Sequence, residues 1–156
     1  MVSYRAPTDD MMYLLGELLD AETTLASLPD GEEATTELMG DVLREAGRFC
    51  AEAVQPLNQR GDEEGCRLEN GVVRTPTGFA EAYRAFVERG WPSLAHDPQH
   101  GGQGLPRVLQ ILLDEMLSSA NFSFGLFSGL TCGAVEAIQH HANDALKAAY
   151  LPKLVA

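Results

Sequence analysis

"DPQHGGQGLP", Asp97 to Pro106, is the stretch on which the reading of this chain turns. Three of the four residues from Gly101 to Gly104 are glycine, and a proline closes the run. A phosphate-cradling loop is the first hypothesis. A P-loop needs GxxxxGK followed by Ser or Thr, and no such pair follows Gly104. A dinucleotide fingerprint needs GxGxxG between a strand and a helix, and "GGQGLP" lacks that spacing. The structural reading is stronger: glycines let a backbone turn sharply and lie close against another backbone.

Working outward, helical periodicity dominates. Leu105 to about Ser119 predicts a helix with a broad apolar side, supplied by Val108, Leu109, Ile111, Leu112, Leu113, Met116 and Leu117. "NFSFGLFSGLTCGAVEAIQHH" (121–141) is a second apolar stretch of helical length. Asn143 is placed to cap a last helix, which Pro152 is expected to end or kink. Upstream, Phe79, Ala82, Tyr83, Phe86 and Val87 share one helical side, with Thr75-Pro76 as cap and first turn and Gly90 as the stop. "GDEEGCRLENGVVRTPTG" (61–78) interrupts the helical pattern. Asn70-Gly71 suits a type I′ turn between short arms Cys66–Leu68 and Val72–Arg74. Met39, Val42, Leu43, Ala46, Phe49, Cys50, Ala53, Val54 and Leu57 mark another buried stripe, with Pro56 near its end expected to kink or terminate the helix. A first helix is expected from Thr8, as N-cap, to about Asp20, and "SLPDGEE" (27–33) reads as a loop. The fold class is therefore all-α, an up-and-down helical bundle with one short β-hairpin-like insertion.

A chain of 156 residues that is 45% hydrophobic is the size of one domain with a sizeable core. The net charge of −12 repels phosphate backbones, so no nucleic acid partner is expected. No run of about 18 apolar residues predicts a membrane span. "MVSYRAPTDDMMYLL" lacks the charged and apolar regions of a signal peptide. Cys50, Cys66 and Cys132 are widely spaced and odd in number, which argues against a disulfide framework or zinc site. A cytoplasmic location is expected.

Candidate chemistry is sparse. His96 and His100 flank Asp97, but Pro98 breaks the helix that an i, i+4 ligand pair needs, so these read as solvated loop histidines. His140 and His141 point about 100° apart on a helix. Asp114 and Glu115, and the cluster Asp62, Glu63 and Glu64, read as solvated charge. Cys132 lacks a basic neighbour and reads as a small core residue. No metal site and no catalytic residue is assigned. Gly125, Gly129 and Gly133 recur every four residues, which suits either close helix packing or a wall that leaves room for an apolar ligand.

With its flanks, the glycine loop resembles a known family. "GWPSLAHDPQHGGQGLP" (90–106) is similar to the loop of the acyl-CoA dehydrogenases, in which a Gly-Trp or similar pair precedes a "GGxG" turn. "LDEMLSSANFSFGLFSGLTCGAVEAIQHHANDALKAAYLPKL" resembles the helices that follow there. "YRAPTDDMMYLLGELLD" and "GDEEGCRLENGVVRTPTGFAEAYRAFVERGW" resemble the branch that includes the 3-methylmercaptopropionyl-CoA and long-chain dehydrogenases. Gln99-His100 depart from a frequent acidic-aromatic pair, and Ala142 from a frequent glycine.

The resemblance implies an N-terminal helical domain, with residues 1–30 as an extension carrying a helix and 31–156 as the family domain. A β-domain and a C-terminal helical domain are expected beyond "YLPKLVA". It further implies FAD as cofactor of the complete enzyme and an acyl-CoA thioester as substrate. The family's catalytic Glu belongs to the C-terminal domain, so no carboxylate here inherits it. This segment by itself is expected to bind no FAD and to be inactive. Substrate-binding residues implied on one face of the helix after Asn121 are Leu126, Gly129, Leu130 and Gly133. The exposed apolar face is expected to support homo-oligomers. The rival reading is a free-standing helical interaction or dimerisation module that kept the fold and lost catalysis.

Overall fold

A computed structural model describes residues 4–28, 31 and 34–155. α1 (Thr8–Tyr13) continues into a π turn, Leu14–Leu18, so a helical rod covers most of the stretch expected from Thr8 to Asp20. Thr8 is the first helical residue and not the cap: Pro7 holds the N-cap position, and no side chain caps this end. Asp20, at φ 43°, breaks the rod. α2 (Ala21–Ala26) follows, a short helix that the apolar pattern did not announce. The loop expected over 27–33 falls partly on 29, 30, 32 and 33, outside the described residues.

α3 (Thr36–Phe49) starts at Thr35, whose hydroxyl accepts the Leu38 N–H at 3.2 Å. Met39, Leu43, Ala46 and Phe49 are buried along it as the stripe predicts. Pro56 does not end the pattern. A π turn, Cys50–Val54, widens the helix ahead of it, with Gln55 N–H bonded to the Cys50 carbonyl at 2.8 Å. This absorbs the proline's missing donor and its ring clash. α4 (Leu57–Glu64) then carries the chain on, so residues 61–64 belong to a helix and not to the interruption.

The hairpin forms as β1 (Arg67–Glu69) and β2 (Val72–Arg74), with Leu68 opposite Val73. Its first arm begins one residue later than expected. Asn70 at φ 52° and Gly71 at φ 78° supply the two left-handed positions of the turn. All six strand residues are exposed. Thr75-Pro76 is not the start of α5 (Phe79–Glu88). Gly78, at φ 92°, holds the N-cap, and the Pro76 carbonyl accepts the Phe79 N–H at 3.2 Å. Gly90, at φ 76°, stops α5 as anticipated.

α6 (Arg107–His141) contains 35 residues, yet Asn121 sits inside it at φ −162°, ψ 96°. A straight helix of that length would span about 50 Å. Instead Arg107 and Glu136 meet in an ion pair at 2.5 Å. The helix is therefore folded back on itself at Asn121, giving a first arm (107–120) and an antiparallel second arm (122–141). Asn121 is buried; its Oδ1 accepts the Phe124 N–H at 3.1 Å and caps the second arm, while its Nδ2 reaches the Val54 carbonyl at 3.5 Å. The arms come close at Gly125, where a Cβ would lie 3.5 Å from that of Leu117.

α7 (Asp144–Val155) is capped by Asn143, whose side chain accepts the Leu146 N–H at 3.0 Å, as expected. Pro152 lies inside it without ending it. Leu109, Leu113 and Met116 of the first arm pack on the α3 stripe in one core, whereas Ile111, expected on the same apolar side, lies off the contact and is exposed. Phe86 joins α5 to both sides, its ring 6.0 Å from Phe49 and 5.8 Å from Phe124. Val135, Leu151 and Val155 form a second, smaller core beneath α7. The architecture is an all-α bundle with one antiparallel hairpin.

Candidate functional site

The glycine loop answers its own question. The N–H groups of Gly101, Gly102, Gln103, Gly104 and Leu105 donate to the carbonyls of Pro98, Asp97, Ser93, His96 and Leu94, at 3.0–3.1 Å. The segment thus folds flat against the strand of backbone that precedes it. At Gly102 a Cβ would fall 1.9 Å from the His96 carbonyl oxygen, so only glycine fits. These five amides are committed within the fold and are not free to cradle a phosphate.

This folding also corrects the reading of His96. It is 5% exposed, not a solvated loop residue, because the loop closes over it and the second arm lies alongside. Burial holds its pKa below the ordinary imidazole value, with Arg107 acting in the same direction and Glu136 against it. Asp97 accepts the Gln99 N–H at 2.8 Å, starting the short turn Pro98–His100, and Gln139 reaches its other oxygen at 3.4 Å. His140 pairs with Glu136 at 3.4 Å. Among the described residues no cluster of three acidic, His or Cys side chains is arranged to hold a metal.

Leu126, Gly129, Leu130 and Gly133 follow the i, i+3, i+4, i+7 spacing on the second arm. That face is open. Leu126 is 49% and Leu130 79% exposed, and a Cβ at Gly129 or Gly133 would meet nothing within 4 Å. The glycine series therefore divides. Gly125 lies where the arms meet, and a Cβ there would make ordinary van der Waals contact with Leu117, whereas Gly129 and Gly133 face open space. Phe122 and Phe127 extend the apolar surface at 61% and 49% exposure. Beside it, Phe127, Phe79, Tyr83, Ala80 and Thr75 line a small apolar cavity of about 160 Å³. Phe79 and Phe127 also border a larger cavity of about 630 Å³, of mixed polar and apolar lining, near buried Asn121. The four expected wall residues line neither cavity. Sequence reasoning missed Phe79 and Tyr83 as neighbours of this surface; their helical side was read only as core.

The remaining candidates are not assembled for chemistry. Asp114 accepts a hydrogen bond from Gln110 at 2.9 Å; burial raises its pKa, opposed by that bond and by Arg107. The Cys132 thiol is raised mainly by burial and then by Asp114, the environment of an inert thiol. Cys50 is pushed up to about 12 by burial. Glu64 accepts the Thr77 N–H at 2.8 Å, tying α4 to the exit of the hairpin, and this holds its carboxyl below the usual range.

Comparison with known proteins fits this geometry. Residues 36–156 match the acyl-CoA dehydrogenase, N-terminal domain. The chain is 43% identical over 154 residues to the 3-methylmercaptopropionyl-CoA dehydrogenase of Ruegeria pomeroyi, covering 99% of this chain and 26% of that protein. It is 34% identical over 110 residues to the butyryl-CoA dehydrogenase of Syntrophomonas wolfei subsp. wolfei, covering 69% of this chain and 18% of that protein. The chain thus spans about a quarter or less of the length of these relatives. No helix among the described residues is long and apolar enough to cross a membrane. With its glycine loop folded flat and its long helix bent back at Asn121, this chain belongs to the acyl-CoA dehydrogenase family, as the N-terminal helical domain.

Proposed function

We propose that the chain acts as the N-terminal part of an FAD-dependent acyl-CoA dehydrogenase, and that Leu126, Gly129, Leu130 and Gly133 form one wall of the acyl slot. The observation that carries this is the open side of the second arm: two leucines offer apolar surface, and two glycines leave room between them. The relatives are named for short acyl-CoA thioesters, which supports the same substrate class. FAD accepts the hydride in such an enzyme. The chain's own residues would hold the acyl tail and keep water from it.

By itself the chain neither retains FAD nor oxidises acyl-CoA. Its glycine-loop amides are satisfied internally, and its net charge of −12 opposes two anionic ligands. The test is to mix the purified chain with FAD, desalt it, and assay acyl-CoA oxidation with an artificial electron acceptor. Colourless, inactive protein is expected; stoichiometric flavin or turnover would refute the reading.

The same open face supports a second reading, a helical interaction module whose partner is another copy. Apolar burial is favourable by about 25 cal/mol per Å². Phe122, Leu126, Phe127 and Leu130 form a continuous strip for such a contact.

A further inference from the structure

Two exposed apolar patches of opposite charge lie at the two ends of the helical run from α3 to α4. At one end is the N-terminal rod, with Met12 over Gly40 in the first half of α3. Asp10, Tyr13, Leu14, Glu17 and Leu18 follow the i, i+3, i+4, i+7, i+8 spacing of one helical face. All are exposed, while Met11 and Leu15 take the buried side. Neither Asp10 nor Glu17 forms an ion pair among the described residues.

At the other end is the hairpin, which follows Glu64, the last residue of α4. Leu68 and Val73 pair on one face of the ribbon, and Arg67 and Arg74 stand directly opposite each other at its base, on the other face. Like charges so placed destabilise a ladder, and a two-stranded ribbon is marginal on its own. Neither arginine forms an ion pair among the described residues. Arg67 lies within electrostatic reach of Glu64, but that carboxylate already accepts the Thr77 N–H. The strands are only about 5 Å apart, so the long arginine stems, one on each edge, can reach round the ribbon and flank Leu68 and Val73.

The patches complement each other. Asp10 and Glu17 stand about 10 Å apart along the rod, at about 1.5 Å per residue, with Leu14 between them. The hairpin offers an apolar pair between Arg67 and Arg74. Everywhere else a net charge of −12 makes two copies repel, so association needs such local pairing.

We propose that a second copy of the chain docks here: the hairpin of one protomer lies on the N-terminal rod of its partner, Leu68 and Val73 against Leu14 and Leu18, Arg67 and Arg74 against Asp10 and Glu17. From Thr36 to Glu64 the helical run is about 40 Å long at about 1.5 Å per residue. With the patches at its two ends, a twofold axis lets antiparallel protomers make the contact twice. Each half then needs only about 600 Å² to reach the roughly 1,200 Å² of a specific interface. The rod lies outside residues 36–156 that match the family domain, and neither patch uses the acyl wall or the strip around Leu130.

The experiment is a charge swap read by sedimentation equilibrium, in chains that all carry Leu130→Lys so that the apolar strip contributes nothing. At roughly tens to hundreds of micromolar, the range of weak dimers, the starting chain should show dimers that dissociate as salt rises. Arg67→Glu with Arg74→Glu, and separately Asp10→Lys with Glu17→Lys, should each weaken dimerisation by at least about a hundredfold, because like charges then meet at both contacts. Mixing the two variants puts opposite charges back at both contacts and should recover dimers of mixed composition. Circular dichroism checks that each variant keeps its helix; if the rod variant does not, Leu18→Lys replaces it. A starting chain that stays monomeric, dimers that either variant leaves unchanged, or folded variants that fail to pair on mixing would overturn the proposal. Assemblies that grow beyond the dimer would contradict the twofold arrangement.

Discussion

Arg107 and Glu136 stand 29 positions apart in one helix and share an ion pair at 2.5 Å. That contact is possible only because the helix turns back at Asn121. It does not follow that the pair holds the bend. Both side chains are partly exposed, at 52% and 35%, and such pairs contribute about 0–1 kcal/mol. Glu136→Gln should therefore cost less than about 1 kcal/mol in urea unfolding. A much larger loss would place the pair at the centre of the bend.

Asn121 should matter more. Its side chain caps the second arm at Phe124 and is buried beside the Val54 carbonyl. Asn121→Ala removes the cap and should destabilise the chain by about 1–2 kcal/mol. The check is the midpoint of urea unfolding, with helical content followed by circular dichroism; an unaltered midpoint would show that packing alone sets the turn.

The glycines separate by what a methyl group would meet. Gly102→Ala drives a Cβ into the His96 carbonyl and should cost about 3 kcal/mol or more. Gly129→Ala meets nothing and relieves a helix interior of glycine, so it should stabilise this chain by about 0.5–1 kcal/mol. Thermal unfolding of both variants tests the pair. A destabilised Gly129→Ala would mean that this glycine serves packing and not open space.

Much of this was legible in the sequence, for physical reasons that differ by segment. The Asn70-Gly71 turn and the Asn143 cap are local chemistry, and both formed as their residue types dictate. The two apolar stretches on either side of Asn121 were separable by pattern, but nothing local showed that they fold back on each other. At the sharp bend Asn121 reaches Val54, 67 positions away, a contact no local pattern announces. Pro56 misled because a five-residue π turn just upstream, Cys50–Val54, accommodates it. His96 misled because its burial comes from Gly102 lying against its own carbonyl, a contact between loop segments. The wall residues were legible as a shared face, while their exposure required the packed structure.

His96 gives a dependence on pH. Its folded pKa lies below the ordinary value, so the unfolded chain takes up a proton more readily. Its contribution to stability is intact above the unfolded pKa, near 6.5, and declines as pH falls through that value towards the lower folded one. Wild type should therefore lose stability between about pH 7 and pH 5.5 relative to His96→Gln. Parallel curves for the two proteins would deny His96 this role.

The apolar strip should drive association. Leu130, at 79% exposure, is its most exposed member. Sedimentation at tens of micromolar, a rough range for transient contacts, is expected to show dimers that Leu130→Lys shifts towards monomer. A wild-type chain that stays monomeric throughout would remove the second-copy reading.

The central claim is that the face bearing Gly129 is an acyl wall. It is tested most directly in a flavin-loaded chimera in which this chain replaces the matching 26% of the Ruegeria pomeroyi relative. The measurement is kcat/KM across straight-chain acyl-CoA substrates, with and without Gly129→Leu. Loss of fit costs about 1–3 kcal/mol per methylene, so the variant should shift preference towards shorter chains by at least about tenfold between neighbouring lengths. The same relative kcat/KM at every chain length in both proteins would contradict the account.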